Sequence, residues 1–357
     1  MSSFVVLSHP MGINLRSRSA LLLTLLLVSG LMLSVQWGAV PVLLSDWRAA
    51  ITAVFSLGSD QQMTGGSYVL WNIRLPRALF AIAVGAAMGL SGALTQGLFR
   101  NPLADPSLLG VTAGGASAAA LTIVVLASFN LPIPPERRIW LLPFAAFFGA
   151  VSVCFALDRI ARWLTPGSIT GLLLTGMALN AMAAAIVGLC TYLATDEQLR
   201  NLSFWTLGSL SGGIWTVTLA LMALLTVAWW RARHLLHPMN ALALGEAAAA
   251  HVGVDVRYVR GNVILIVAVL TGFTVAWCGM ISFIGLIAPH IVRALVGSDQ
   301  RQVIPQSLLV GGLLLLVADT LARTVVIPAE IPVGIFTAIL GSPFFLILLR
   351  KARGRIA

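Results

Sequence analysis

Residues Ala78–Phe99 read ALFAIAVGAAMGLSGALTQGLF, with Arg77 before them and Arg100 behind. No charge interrupts the run, and as a helix it would extend about 33 Å, enough to cross the hydrocarbon core of a bilayer. The rest of the chain repeats the plan. Charge-free runs recur at Ser19–Ser45, Pro106–Pro135, Ile139–Leu157, Trp163–Thr195, Asn201–Trp230, Gly261–Val292, Gln302–Ala318 and Ile331–Leu349, separated by short polar punctuation. Of the 357 residues 59% are hydrophobic and 10% charged, with a mean hydropathy of +0.96. A soluble domain carries about 25% charged residues. That composition excludes a soluble enzyme, a disordered chain and a disulfide scaffold, and leaves an all-α polytopic membrane protein.

Taken at face value the runs give nine spans. Both ends are basic, with Arg16 and Arg18 at the start and Arg350, Lys351, Arg353 and Arg355 in the tail. Basic ends belong in the cytoplasm, so the count must be even. The stretch from Tyr258 to Leu295 is long enough for two tight crossings of about 18 residues each, with Gly279 to turn between them. Ten transmembrane helices result, with both termini cytoplasmic. Residues 1–18 then form a cytoplasmic segment, 19–349 a single ten-helix domain, and 350–357 a basic tail. This topology places 15 of the 22 basic residues inside and seven outside, so the net charge of +10 reads as positive-inside bias and not as a nucleic-acid surface. The N-terminal run lacks a small-residue cleavage site and reads as a first span. Cys154, Cys190 and Cys278 fall within spans as small apolar fillers.

Several engines are missing. The only lysine, Lys351, precedes Ala352, so no phosphate-binding loop of the Walker type is present. Asp158 and Asp319 lie in terminal turns and read as interfacial, which leaves no mid-span carboxylate for proton coupling. His9, His234, His237, His251 and His290 fall at or beyond cytoplasmic ends, and no metal site is expected. A transport channel powered from elsewhere remains. An ion-coupled secondary carrier is the remote alternative.

Three loops exceed what turning requires. NIRLPRALF (Asn72–Phe80) places Arg74 and Arg77 on one helical face at the outer side, where they could receive carboxylates of an external partner, with Arg323 as a third. LFRNPLADPSLLG (Leu98–Gly110) brackets Leu103 between Pro102 and Pro106, with Asn101 favouring a tight turn. RARHLLHPMNALALGEAAAAHVGVDVRYVR (Arg231–Arg260) is far longer than a helix connection needs. In it Asn240 can cap a helix over Ala241–Ala250 that Gly253 ends, and such a helix suits another protein's groove.

The stretch NIRLPRALFAIAVGAAMGLSGALTQGLFRNPLADPSLLGVTAGG, together with NALALGEAAAAHVGV, FIGLIAPHIVR and EIPVGIFTAILGSPFFLILL, resembles the FecCD-type permease subunits of ATP-binding-cassette importers, from about Trp71 to the C-terminus. That family handles iron-siderophores, cobalamin and haem. The resemblance implies a homodimer in the bacterial inner membrane with the path on its axis. It also implies two cytoplasmic ATPase subunits, which carry the ATP and Mg, and a periplasmic binding protein. It carries the binding-protein contacts onto Arg74, Arg77 and Arg323. ATPase-coupling helices fall on Asn240–Gly253, with Leu244, Gly245, Glu246 and His251 touching the ATPase. The cytoplasmic gate falls on Asn101 and Leu103, with a second element at Ser168 and Thr170. The segment Thr191–Gly213, with a short helix expected around Leu199–Leu207, is most similar to haem-importing members; ferric siderophore is the alternative, with cobalamin behind it. Tyr68 and Tyr192 are the only outer tyrosines and no outer histidine accompanies them, so haem iron would stay with the binding protein. Met177 and Asn180 are the expected wall residues of the path.

Overall fold

Inside a bilayer no water satisfies backbone amides, so long apolar runs close their hydrogen bonds as helices. The computed structural model describes residues 12–38, 40–55, 65–125, 129 and 134–353. Residues 1–11 of the N-terminal segment and 354–357 of the basic tail lie outside these. The helices are α1 (Gly12–Gln36), α2 (Leu44–Phe55) and α3 (Gly66–Tyr68), which passes through a π-helical stretch, Val69–Arg74, into α4 (Leu75–Phe99). A 3-10 turn at Pro106–Leu109 precedes α5 (Val111–Val124), followed by α6 (Pro135–Leu164), α7 (Ile169–Leu193) and α8 (Asp196–Leu207). The chain continues through α9 (Trp215–Ala232), α10 (Leu236–Ala243), α11 (Glu246–His251), α12 (Val256–Cys278), α13 (Ile284–Val296), α14 (Gln300–Ala322) and α15 (Val333–Arg353).

Among the described residues seven helical stretches are long and apolar enough to cross a membrane: Arg18–Gln36, Gly66–Phe99, Ile139–Leu164, Ile169–Leu193, Trp215–Ala243, Val256–Cys278 and Gln300–Ala322. Three shorter apolar helices accompany them, at Val111–Val124, Ile284–Val296 and Val333–Ile347. Gly279, with φ 68°, closes α12 and separates it from α13.

The bundle has a hidden centre and a greasy rim. In α4 89% of the apolar window is buried, against 17% in α1, α6 and α7. Lipid attracts apolar side chains as well as protein does, so close backbone packing must hold such a centre together. Gly85 of α4 supplies it. A Cβ there would overlap the Gly311 carbonyl of α14, and one at Gly311 would overlap the Gly85 carbonyl. At Gly92 a Cβ would overlap the Gly285 backbone of α13 in the same way.

The helix ends sort into two groups. Arg74 and Arg323 gather the C-terminus of α1, the start of α4 and the end of α14 at one end of the bundle. Asn240 joins α10 to the start of α14 at the other. Gly334, at the start of α15, abuts the Leu207 and Met280 carbonyls, which places the C-terminal end of α8 and the end of α12 together.

Four expectations change. The single helix over Ala241–Ala250 is two helices, because Gly245 adopts φ 116° between α10 and α11. Asn240 therefore lies within α10 and caps nothing on its own helix. Asp158 and Asp319 are buried, 3% and 1% exposed, each paired with an arginine: the outward-facing Arg162 for Asp158 and the mostly buried Arg77 for Asp319. His290 sits inside α13, edge-on to Phe344 of α15 at 5.8 Å, and not at a helix end. The helix expected around Leu199–Leu207 begins earlier, at Asp196, where Thr195 and Gln198 form a reciprocal cap.

Overpacking at a backbone contact has no side chain to yield. Gly92→Val is expected to destabilise the protein by roughly 3 kcal/mol or more. Gly188→Ala on α7, with open space around it, is expected to leave the melting curve in detergent unchanged. Size-exclusion profiles and thermal unfolding of the two variants check this.

Candidate functional site

At the Asn240 end the structure brings most of the loop candidates together. Leu244 is 80% exposed in the turn between α10 and α11, beside Gly245. Glu246 opens α11, and its carboxylate accepts a hydrogen bond of 2.7 Å from Nη2 of Arg260 on α12. His251 ends α11 on the exposed side, its ring nitrogen 2.7 Å from the Ala247 carbonyl, and Gly253 follows with φ 84°. A cleft of about 540 Å³ opens between α11, α12 and the α6–α7 turn, lined among others by Asp158, Arg162, Gly167, Glu246, Arg257 and Arg260. Ser168, next in sequence to Gly167, caps α7 by accepting from the Gly171 amide at 3.0 Å; Thr170 is exposed in the first turn.

Asn240 does different work. Its amide donates to Asp299 Oδ1 at 2.8 Å and its carbonyl accepts from the Gln300 amide at 2.8 Å. Asp299 in turn caps α14 through the Arg301 amide. Hydrogen bonds from Arg301, with Asn240 adding to them, hold the Asp299 carboxyl well below the usual carboxylate range.

The other pair expected as a gate sits elsewhere. Asn101 Oδ1 accepts from the Leu103 amide at 2.9 Å and fixes the turn after α4. Leu103 points into a second cavity, of about 370 Å³, whose walls include Met88, Asp105, Ser107, Phe283 and Phe345. Two breaks in helix meet there: the Asn101–Gly110 segment before α5, and residues 279–283 before α13. Phe283 is held at φ 69° and packs against Gly341 of α15. Non-helical backbone at membrane depth is tolerated where it is enclosed by protein or lines a cavity. Asp105 starts the Pro106–Leu109 turn by accepting from the Ser107 amide at 2.9 Å. Leu103 thus lines the second cavity, while Ser168 follows Gly167 of the first. Asn180 is half-buried and donates to the Ser107 carbonyl at 3.4 Å, bracing α7 against that turn, while Met177 is 64% exposed on the same helix.

At the opposite end the three arginines cluster, and all have partners within the chain. Arg74 donates to the carbonyls of Val35, Gln36 and Val40 and caps the end of α1. Arg77 binds Asp319 at 2.9 Å and the half-exposed Glu330 at 2.8 Å. Arg323 donates to the Ser34 and Trp37 carbonyls and lies 3.5 Å from Asp319. Sequence patterning gave Arg74, Arg77 and Arg323 but neither acid, because Asp319 and Glu330 sit far along the chain from Arg77. Arg260 and Phe283 were missed too: an arginine near a helix start and a phenylalanine before a helix carry no local signal of their roles.

Residues 24–351 match the FecCD transport family. The chain belongs to this family. The match starts inside α1, so it takes in the first helix as well as the motifs from Trp71 onward. The chain is 43% identical over 285 residues to the hemin transport system permease protein HmuU of Yersinia pestis, covering 80% of this chain and 84% of that one. It is 37% identical over 356 residues to the vitamin B12 import system permease protein BtuC of Klebsiella pneumoniae, covering 99% and 100%. A solved structure described as an inward-facing conformation of a putative metal-chelate type ABC transporter superposes with a TM-score of 0.78 at 31% identity, over 94% of this chain and 99% of that one. The FecCD member described here is a multi-pass permease of an ABC importer.

A depressed Asp299 carboxyl stabilises the folded state above the unfolded value of about 4, and that contribution fades as pH falls below it. Asp299→Ala is therefore expected to lose about 1 kcal/mol at pH 7 through the cap. The gap to the unmodified protein should begin to narrow below about pH 4 and keep narrowing as the acid strengthens, as read by thermal melts at pH 7, 3.5 and 2.

Proposed function

We propose that two copies of this chain form the translocation path of a haem importer in the bacterial inner membrane, working by alternating access. Seven long and three short apolar helices make ten crossings, with both basic termini in the cytoplasm. The Asn240 end is then cytoplasmic, where α10 and α11 meet two ATPase subunits that carry the ATP and Mg, with Leu244, Gly245, Glu246 and His251 at the contact and Gly253 behind it. The Arg74 end faces a periplasmic binding protein. Because Arg77 already holds Glu330, a docking carboxylate would compete with that half-exposed acid for the same guanidinium, with Arg74 and Arg323 holding the platform in place. Asn101 and Leu103 form one gate element and Ser168 with Thr170 the other, while Met177 and Asn180 face the path.

The observation that carries haem is the 43% identity to the hemin permease of Yersinia pestis. Cobalamin is the second reading, favoured by the near-complete coverage of the vitamin B12 permease of Klebsiella pneumoniae. Ferric siderophore stays as a third arm of the test. Reconstitution of the permease with its ATPase and binding protein in liposomes decides between them. Haem entering the lumen only when ATP is present is the expected result. Uptake of cobalamin or a ferric siderophore in preference reassigns the cargo, and uptake without any ATPase would make the protein a secondary carrier.

Docking makes its own demand. Arg77→Glu should weaken binding-protein affinity about tenfold at low ionic strength and less at 0.5 M salt, since exposed charge attraction is screened there. Unchanged affinity at low salt overturns the docking role.

A further inference from the structure

The geometry points to Arg260 as the positioning residue that passes movement of α11 to the turn in front of α7. This rests on the reading of α11 as an ATPase contact and goes beyond it by naming the link. Arg260 stands in the second turn of α12, a helix with 78% of its apolar window buried, so its backbone is fixed to the bundle. The residue is 8% exposed. The same Nη2 that donates to Glu246 at 2.7 Å lies 3.5 Å from the carbonyl of Gly167. Gly167 immediately precedes Ser168, whose hydroxyl caps α7. One guanidinium thus stands between the first residue of α11 and the residue before the second gate element.

The two cytoplasmic-end helices are held differently. Asn240 ties α10 to the start of α14 by two hydrogen bonds, and fully buried Met239 presses on Gly97 of α4. α10 is thereby fixed to the most buried helices of the bundle. α11 lies between the exposed Leu244–Gly245 turn and the exposed Val252–Gly253 turn, with Glu246 as its charged tie to α12. The cleft of about 540 Å³ leaves room beside that tie. Asp158, the other acid on its wall, is already paired with Arg162.

Arg260 also has an unused donor. Its Nε is buried without a hydrogen-bond partner, a costly state that a shifted acceptor would relieve. A planar fork with donors on several edges can exchange one acceptor for another while its stem stays in place. That gives the linkage two discrete arrangements, which coupling between sites requires. Displacing α11 moves the Glu246 carboxylate, re-aims the Arg260 fork, and makes or breaks its contact with the turn at Gly167.

The test uses the reconstituted importer with its ATPase and binding protein, reading cargo moved per ATP hydrolysed. Arg260→Gln and Glu246→Gln are each expected to lower that ratio roughly fivefold, and the double variant no further, because both break one link. Exchanging the pair, as Glu246→Arg with Arg260→Glu, should recover much of the loss. Spin labels on cysteines introduced at Val252 and Pro166 should report a distance that changes on ATP binding in the unmodified background and stays constant with Arg260→Gln. Losses that multiply in the double variant, an unchanged ratio, or an unaltered label response overturn the proposal. Should Arg260→Gln fail to assemble, Glu246→Gln and Glu246→Asp carry the same readouts from a more exposed position. An unmodified importer with no ATP-dependent uptake would instead overturn the reading of the protein as an importer.

Discussion

Contact between the backbones of α4, α13 and α14 is the constraint on which the rest depends. In a bilayer, apolar side chains gain little by leaving lipid for protein, so helices must associate through close fit. Gly85 meeting Gly311, and Gly92 meeting Gly285, let three helices approach until main chain touches main chain. Everything with a role is hung from that column. α10 is tied to the foot of α14, Arg77 and Arg323 hold the acid at its other end, and the break before α13 opens beside α4.

The charged residues follow from the same scarcity of water. A membrane protein with 10% charged residues has to place each where it has a partner or reaches solvent. At one end Asp319 binds Arg77 and lies near Arg323, while Arg74 closes the orphan carbonyls of α1. A helix C-terminus within the bundle needs such donors. The opposite end is looser: a cleft, exposed turns at Leu244 and Val252, and a single guanidinium bridging two elements. One end is braced and the other left room to move.

What the sequence made legible divides along physical lines. Apolar runs longer than a bilayer, the turn at Gly279 and the three unusual segments depend on local chemistry, and the structure has helices at the runs, a break at Gly279, and at the three segments a helix start, a turn and two short helices. The helix break at Gly245 was hidden because alanine propensity on both sides masks a single glycine. The pairings Arg77–Asp319, Arg260–Glu246 and Asn240–Asp299 join residues 242, 14 and 59 positions apart, and no pattern along the chain encodes which charge meets which. Arginines that looked like free sockets were half of internal bonds for that reason.

The second cavity has walls formed where two helices stop short, with Leu103, Phe283 and Phe345 among mostly apolar neighbours and Asp105 as its charged side chain. A surface of that kind sorts by girth and outline more than by functional group.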